Sequence, residues 1–192
     1  MFESLLGFLH HLDLLLLYFF NIQLHNPFFD FLMPIITFAG TQIFWIIISI
    51  ILLVFFGVKG RRTAFTCLLA LVLGYFLSES LKAIFQVPRP FEVIWWVRHS
   101  IIVGGYSMPS GHSVAAFSGF MILGIRYGRL PIFIFLAVLV GISRIYMGLH
   151  YPSDVIVGAL LGILCALVSI GIEEKFFKSS KKYRMNIKRG NQ

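Results

Sequence analysis

Apolar residues run through this chain in long blocks separated by short polar joints. A spanning helix needs about 20 mostly apolar residues. Five blocks meet that length, at approximately 41–57, 63–86, 113–128, 131–149 and 153–172. A sixth, 2–22, is apolar enough, but His10, His11 and Asp13 interrupt it. It either crosses the membrane or lies along its surface. It has no basic leader and no small-residue cleavage site, so it does not read as a cleaved signal peptide. Residues 26–39 predict a short helix leading into the next span, with Asn26 as its cap and Pro27 in its first turn. The pattern predicts an all-α polytopic bundle of six spans.

Composition sharpens this picture. Of 192 residues, 58% are hydrophobic and 12% charged, and the mean hydropathy is +0.88. A soluble domain carries about 25% charged residues, so lipid must be the solvent here. Cys67 and Cys165 lie inside apolar runs and read as small core residues. The chain divides into a membrane domain, 1–174, and a basic tail, 175–192.

The formal net charge of +8 raises the question of nucleic acid, and the positions of the basic residues answer it. Twelve of the 16 Lys and Arg residues fall in three groups: 59–62, 126–129 and 175–189. If the spans alternate, all three groups lie on one side, which the positive-inside rule makes cytoplasmic. Both termini are then cytoplasmic, and the tail is an anchor near anionic lipid. No nucleic acid partner is implied.

Four basic residues break the rule: Lys82, Arg89, Arg98 and Arg144. They fall on the opposite, extracytoplasmic side or just beneath it, where an unpaired cation is costly. A bound anion would compensate them. Three of them belong to polar clusters that the topology gathers at one face: "KAIFQVPRP" (82–90), "PSGH" (109–112) and "SRIYMGLHYPSD" (143–154).

These clusters match KxxxxxxRP, PSGH and SRxxxxxHxxxD, and with them the chain resembles the type-2 phosphatidic acid phosphatase superfamily. The motifs cover residues 82–154, and the six-span layout extends the resemblance over most of the chain. It implies hydrolysis of a membrane lipid phosphate or pyrophosphate at the outer face, with no metal and no cofactor. It also implies that His150 attacks phosphorus and carries a phosphohistidine, while His112 protonates the leaving oxygen and then activates water.

The chemistry can be argued from the residue types as well. Phosphoryl transfer needs positioning and charge stabilisation. Lys82, Arg89 and Arg144 supply three cations, and each guanidinium can grip two oxygens. Ser110 can donate its hydroxyl, and Gly111 lets backbone N–H groups approach. Asp154, four residues after His150, can hold its other ring nitrogen. Glu79 is one turn before Lys82, placed to pair with it. Arg98, after Trp95 and Trp96 at the interface, is a supporting candidate for a second phosphate or head group.

The short loops look like bacterial members of that family in the cytoplasmic membrane, and undecaprenyl pyrophosphate is the first expectation for the substrate. Phosphatidylglycerol phosphate, phosphatidic acid, lipid A and phosphoryl transfer to another lipid stay open. So does a different class, a lipid-phosphate binder or transporter without turnover, though binding alone needs neither histidine. The sequence leaves the oligomeric state open.

Overall fold

The computed structural model describes the backbone of residues 2–99 and 101–190, and the side chains of residues 7–99 and 101–177. Every regular element among them is helical. In chain order these are α1 (Phe2–Tyr18), a π-helical turn (Phe19–Gln23), α2 (Pro27–Phe38), α3 (Gln42–Phe55), α4 (Gly57–Phe85), the short α5 (Pro90–Val93), α6 (Gly111–Tyr127), α7 (Leu130–Tyr146) and α8 (Pro152–Gly190).

Most of the expected boundaries reappear, with physical reasons. Asn26 caps α2, accepting from Phe29 N–H at 3.0 Å, with Pro27 in the first turn. Thr41 caps α3 in the same way. α4 begins earlier than expected. Gly57 turns the chain at φ +58°, so Lys59, Arg61 and Arg62 sit in the first turns of the helix rather than in a loop. In the basic tail, the side chains of Lys178, Lys181, Lys182, Arg184, Lys188 and Arg189 lie outside the described residues.

The segments Gly57–Val93 and Pro152–Phe177 are each long and apolar enough to cross a membrane. α2 and α3, bent by 56° at their junction, make a third if taken as one broken span. α1, α6 and α7 each run 17 residues, so helix length carries two to three spans and not the expected six.

α6 is the centre of the bundle, packed against α4, α7 and α8. Lipid tails are as apolar as leucine, so close van der Waals packing must hold such helices together. Small residues allow it. Trp45 of α3 lies over Gly119, where a Cβ would come within 2.3 Å of the indole. Ala115, Ala116, Ala137 and Val140 pack in the same cluster, with Phe117 and Phe120. Cys67, Ala70, Ile122, Cys165 and Ala166 join α4, α6 and α8. Both cysteines are free and buried, as read from the sequence. Large apolar residues such as Phe55, Phe76 and Ile84 point outward, as a lipid-facing surface requires.

Charge gathers at the two ends of the bundle. At one end Glu173 of α8 is fully buried and holds Arg62 of α4 and Arg126 of α6. At the other end lie the N-termini of α6 and α8 and the C-terminus of α4. Along α8, Asp154 and Glu173 are separated by about 28 Å at 1.5 Å per residue. That is close to the thickness of a bilayer's hydrocarbon core, about 30 Å.

Candidate active site

The ends of five helices and the loops between them build the site. Lys82 closes α4, Arg89 stands just before α5, Ser110 caps α6, Arg144 ends α7, and His150 and Asp154 flank the start of α8. α1 steadies this end from outside. Asp13, which interrupts its apolar run, accepts from Ser153 N–H at 2.8 Å and Ser153 Oγ at 2.5 Å. Asn21, 1% exposed, bonds Tyr146 O and both backbone groups of Arg98. The loop carrying Arg98 is thereby pressed against Gly148. There φ is +70° and a Cβ would come within 2.2 Å of Arg98 O, so only glycine fits.

His150 is buried between two unlike surroundings. On one side, Nδ1 is 3.4 Å from Asp154 Oδ2 and 3.3 Å from Ser107 Oγ, and Ser107 Oγ itself donates to Asp154 Oδ2. Tyr151 N–H donates to the same carboxylate oxygen at 2.8 Å. On the other side, Nε2 lies 3.3 Å from Arg89 Nη1. These partners put the proton on Nδ1 and the lone pair on Nε2. Burial, then the charges of Arg144, Arg89 and Lys82, hold the imidazole well below its usual pKa. His150 is therefore a neutral imidazole whose lone pair faces the Arg89 guanidinium.

The two guanidiniums are held in place without a carboxylate partner, whereas Lys82 has one. Arg89 Nε and Nη groups donate to the carbonyls of Gly104, Gly105, Tyr106 and Leu149. Its backbone N–H donates to Glu92. Arg144 Nη1 donates to Thr37 Oγ1 at 3.0 Å, and Arg144 Nε has no partner among the described residues. Lys82 donates to Glu79 Oε1 at 2.7 Å, the pairing expected from their spacing.

Ser110 accepts from Ser113 N–H and Ser113 Oγ and so acts as a helix cap, with its own hydroxyl proton still to give. Its N–H donates to Asp154 O, tying the α6 start to the α8 start. His112 and Gly111 line a cavity of about 360 Å³ with Lys82, Ser78 and Glu79. Ala70, Leu71, Gly74, Val114 and Ala115 give the same cavity an apolar wall.

The structure thus brings together Lys82, Arg89, Ser110, Gly111, His112, Arg144, His150 and Asp154, with Glu79 beside Lys82. It does not bring in Arg98, which makes no side-chain hydrogen bond or ion pair among the described residues. Trp95 is almost fully exposed, as an interface anchor would be. Two residues of the site were missed in the sequence, Ser107 and Thr37. Both meet their partners across folds of the chain, and no motif spacing marks either. Among the described residues, no group of three or more His, Cys, Asp or Glu side chains is placed to share an ion.

The model of the PAP2 superfamily matches residues 63–178, a stretch that contains every site residue named above except Thr37. A relative named undecaprenyl-diphosphatase, from Sulfolobus acidocaldarius, is 32% identical over 74% of this chain and 69% of its own. Two solved structures share the fold. The LpxE protein of Aquifex aeolicus is 31% identical with a TM-score of 0.75, over 83% of this chain and 95% of that one. A PAP2-type phosphatidylglycerolphosphate phosphatase from Bacillus subtilis is 26% identical with a TM-score of 0.74, over 87% of each.

Proposed function

The chain belongs to the PAP2 superfamily, and on that premise we propose that it hydrolyses a membrane lipid diphosphate, undecaprenyl diphosphate first, at the extracytoplasmic face. One observation carries the reading. A neutral His150 has its Nδ1 held by Ser107 and Asp154, and its Nε2 faces the Arg89 guanidinium, which no carboxylate neutralises. That is the layout of a nucleophile aimed at an anion.

In the first step Nε2 attacks phosphorus, and the bond to the leaving oxygen breaks in line. Lys82, Arg89 and Arg144 grip the non-bridging oxygens, with Ser110 and the α6 N-terminal N–H groups beside them. Asp154 stabilises the positive charge that develops on His150. His112 lines the apolar-walled cavity, so it gives its proton to the oxygen that stays with the lipid. In the second step His112 takes a proton from water, which attacks the phosphohistidine and frees inorganic phosphate. The three cations do the charge stabilisation that a metal supplies in many phosphatases, so no metal is required.

The same premise extends to the rest of the chain. It has six spans with both termini cytoplasmic. Residues 1–174 form the membrane domain, and 175–192 the basic tail, in a bacterial cytoplasmic membrane. The undecaprenyl reading is favoured by the relative of that name. Phosphatidylglycerol phosphate is the second reading, favoured by the Bacillus subtilis structure.

Purified protein in detergent should release phosphate from a lipid diphosphate faster than from phosphatidylglycerol phosphate, phosphatidic acid or lipid A, with EDTA present throughout. Activity that vanishes in EDTA and returns with magnesium would overturn the metal-free mechanism. A faster rate on a monophosphate lipid would overturn the substrate.

A further inference from the structure

Gly74, Ser78 and Lys82 stand at i, i+4 and i+8 on α4, and so share one face of the helix. That face is pressed against the start of α6. At Gly74 a Cβ would come within 2.7 Å of Val114 Cγ1, so the glycine lets the two helices close. One turn on, Ser78 Oγ comes within 3.8 Å of the point where Gly111 lacks a Cβ, and Lys82 Nζ within 3.9 Å of the same point. A hydroxyl and an ammonium thus converge on the bare backbone of Gly111, in the wall of the cavity that His112 also lines.

The hydroxyl has nothing to bond. Ser78 is 2% exposed, and its Oγ has no hydrogen-bond partner among the described residues. Helical serines in apolar surroundings usually bond a backbone carbonyl in the preceding turn. Thr63, Thr66 and Ser118 of this chain do so. Ser78 does not, although an unmet buried hydroxyl costs stability.

We infer that Ser78 is a substrate-binding residue, whose hydroxyl donates to a phosphoryl oxygen of the lipid phosphate alongside Lys82 and the Gly111 N–H. This deepens the proposed function and rests on it. The bound phosphate supplies the acceptor that the protein withholds.

The test exploits a difference in sign. Ser78→Ala removes a hydroxyl that the unliganded protein leaves unmet, so the melting temperature should stay or rise. The kcat/KM for lipid phosphate hydrolysis should nevertheless fall by roughly 10- to 100-fold, the worth of a hydrogen bond to a charged group. Ser78→Thr keeps the hydroxyl and should recover most of the rate. Ser169→Ala is the control. Its Oγ is also buried and unpartnered among the described residues, but it lies about 22 Å along α8 from Asp154, so it should leave turnover unchanged.

Orthovanadate binding, followed by tryptophan fluorescence, covers the case in which no lipid phosphate is turned over. Ser78→Ala should weaken that binding by a similar factor. Wild-type turnover or vanadate affinity in Ser78→Ala would overturn the inference, as would a loss of rate matched by a fall in melting temperature. An inactive wild type that binds vanadate in a Ser78-dependent way would sink the proposed hydrolysis and leave the phosphate contact standing.

Discussion

Arg62 and Arg126 close on one buried carboxylate, Glu173. At the opposite end of the bundle, Arg89 and Arg144 close on none. Their partners are carbonyl oxygens and the Thr37 hydroxyl. Carbonyls and hydroxyls fix the direction of a guanidinium without cancelling its charge. The Glu173 cluster is complete in itself and locks α4, α6 and α8 together. The other end is oriented but electrically unfinished, and in the proposed function a dianionic phosphate would finish it. Counting arginines at a helix end therefore says little. What distinguishes a lock from a binding site is whether the chain supplies the counter-charge.

The comparison breaks most sharply at His150. His150→Ala removes the lone pair that the unfinished end surrounds, and should abolish both turnover and any trapped phosphoenzyme. Phosphate trapped on His112 instead, or near-normal turnover in the variant, would reverse the roles.

Next come the arginines. Arg144→Gln keeps polarity but removes a cation that nothing in the chain balances. Turnover should fall by about 10²–10³-fold, the cost typical of losing one preorganised donor to transition-state charge, while the melting temperature holds or rises. Glu173→Gln should behave oppositely. It leaves two guanidiniums facing a neutral amide. Breaking a fully buried pair costs about 3–5 kcal/mol. Arg62 is about one-third exposed, so about 2–3 kcal/mol is expected, with kcat within a few-fold of wild type. Thermal unfolding and kinetics on the two variants check both halves. If Arg144→Gln unfolds the protein and Glu173→Gln inactivates it, the distinction between the ends fails.

Much of the unfinished end was legible in the sequence because its residues sit in short motifs with helical spacing. Lys82 and Glu79 pair as i and i+3, and His150 and Asp154 meet as i and i+4. Arg144 stood out as a cation inside an apolar run. Ser107, Thr37 and Ser78 left no such trace, because a serine or threonine in or beside an apolar run is tolerated anywhere. Ser107 meets Asp154 across 47 positions, and Thr37 meets Arg144 across 107. Arg98 misled for the converse reason. A cation on the outer side looks like a ligand group, yet it is the backbone of Arg98 that does the work, held by Asn21. The Glu173 lock was missed because its three partners come from three helices, and each reads alone as a charge at a span end. Span number was the weakest reading. Hydropathy marks an apolar run but does not say whether a 17-residue helix crosses the bilayer.

The smallest expected effect is one of pH, and it tests whether the unneutralised charge is felt at the nucleophile. His150 must be neutral to attack. Burial together with Arg144, Arg89 and Lys82 holds its pKa well below the ordinary 6.5. Protonation of His150 therefore begins to cost activity only well below pH 6.5, and kcat/KM, which reports the free enzyme, should show no acid limb from this group at that value as the pH falls. The sign for stability follows the same shift. Below about pH 6.5 the unfolded chain takes up a proton at this histidine that the folded chain refuses, so folding stability from this group declines as pH falls. A phosphate monoester itself titrates near pH 6, so the test is a difference between enzymes on one substrate, in which that ionisation cancels. Arg144→Gln removes one of the charges that depress His150, and its acid limb should move up toward pH 6.5. Glu173→Gln, at the far end of the bundle, should leave the limb where it is in wild type. Equal limbs in all three enzymes would mean that the cations of the site do not act on His150, and burial alone would have to account for its neutrality.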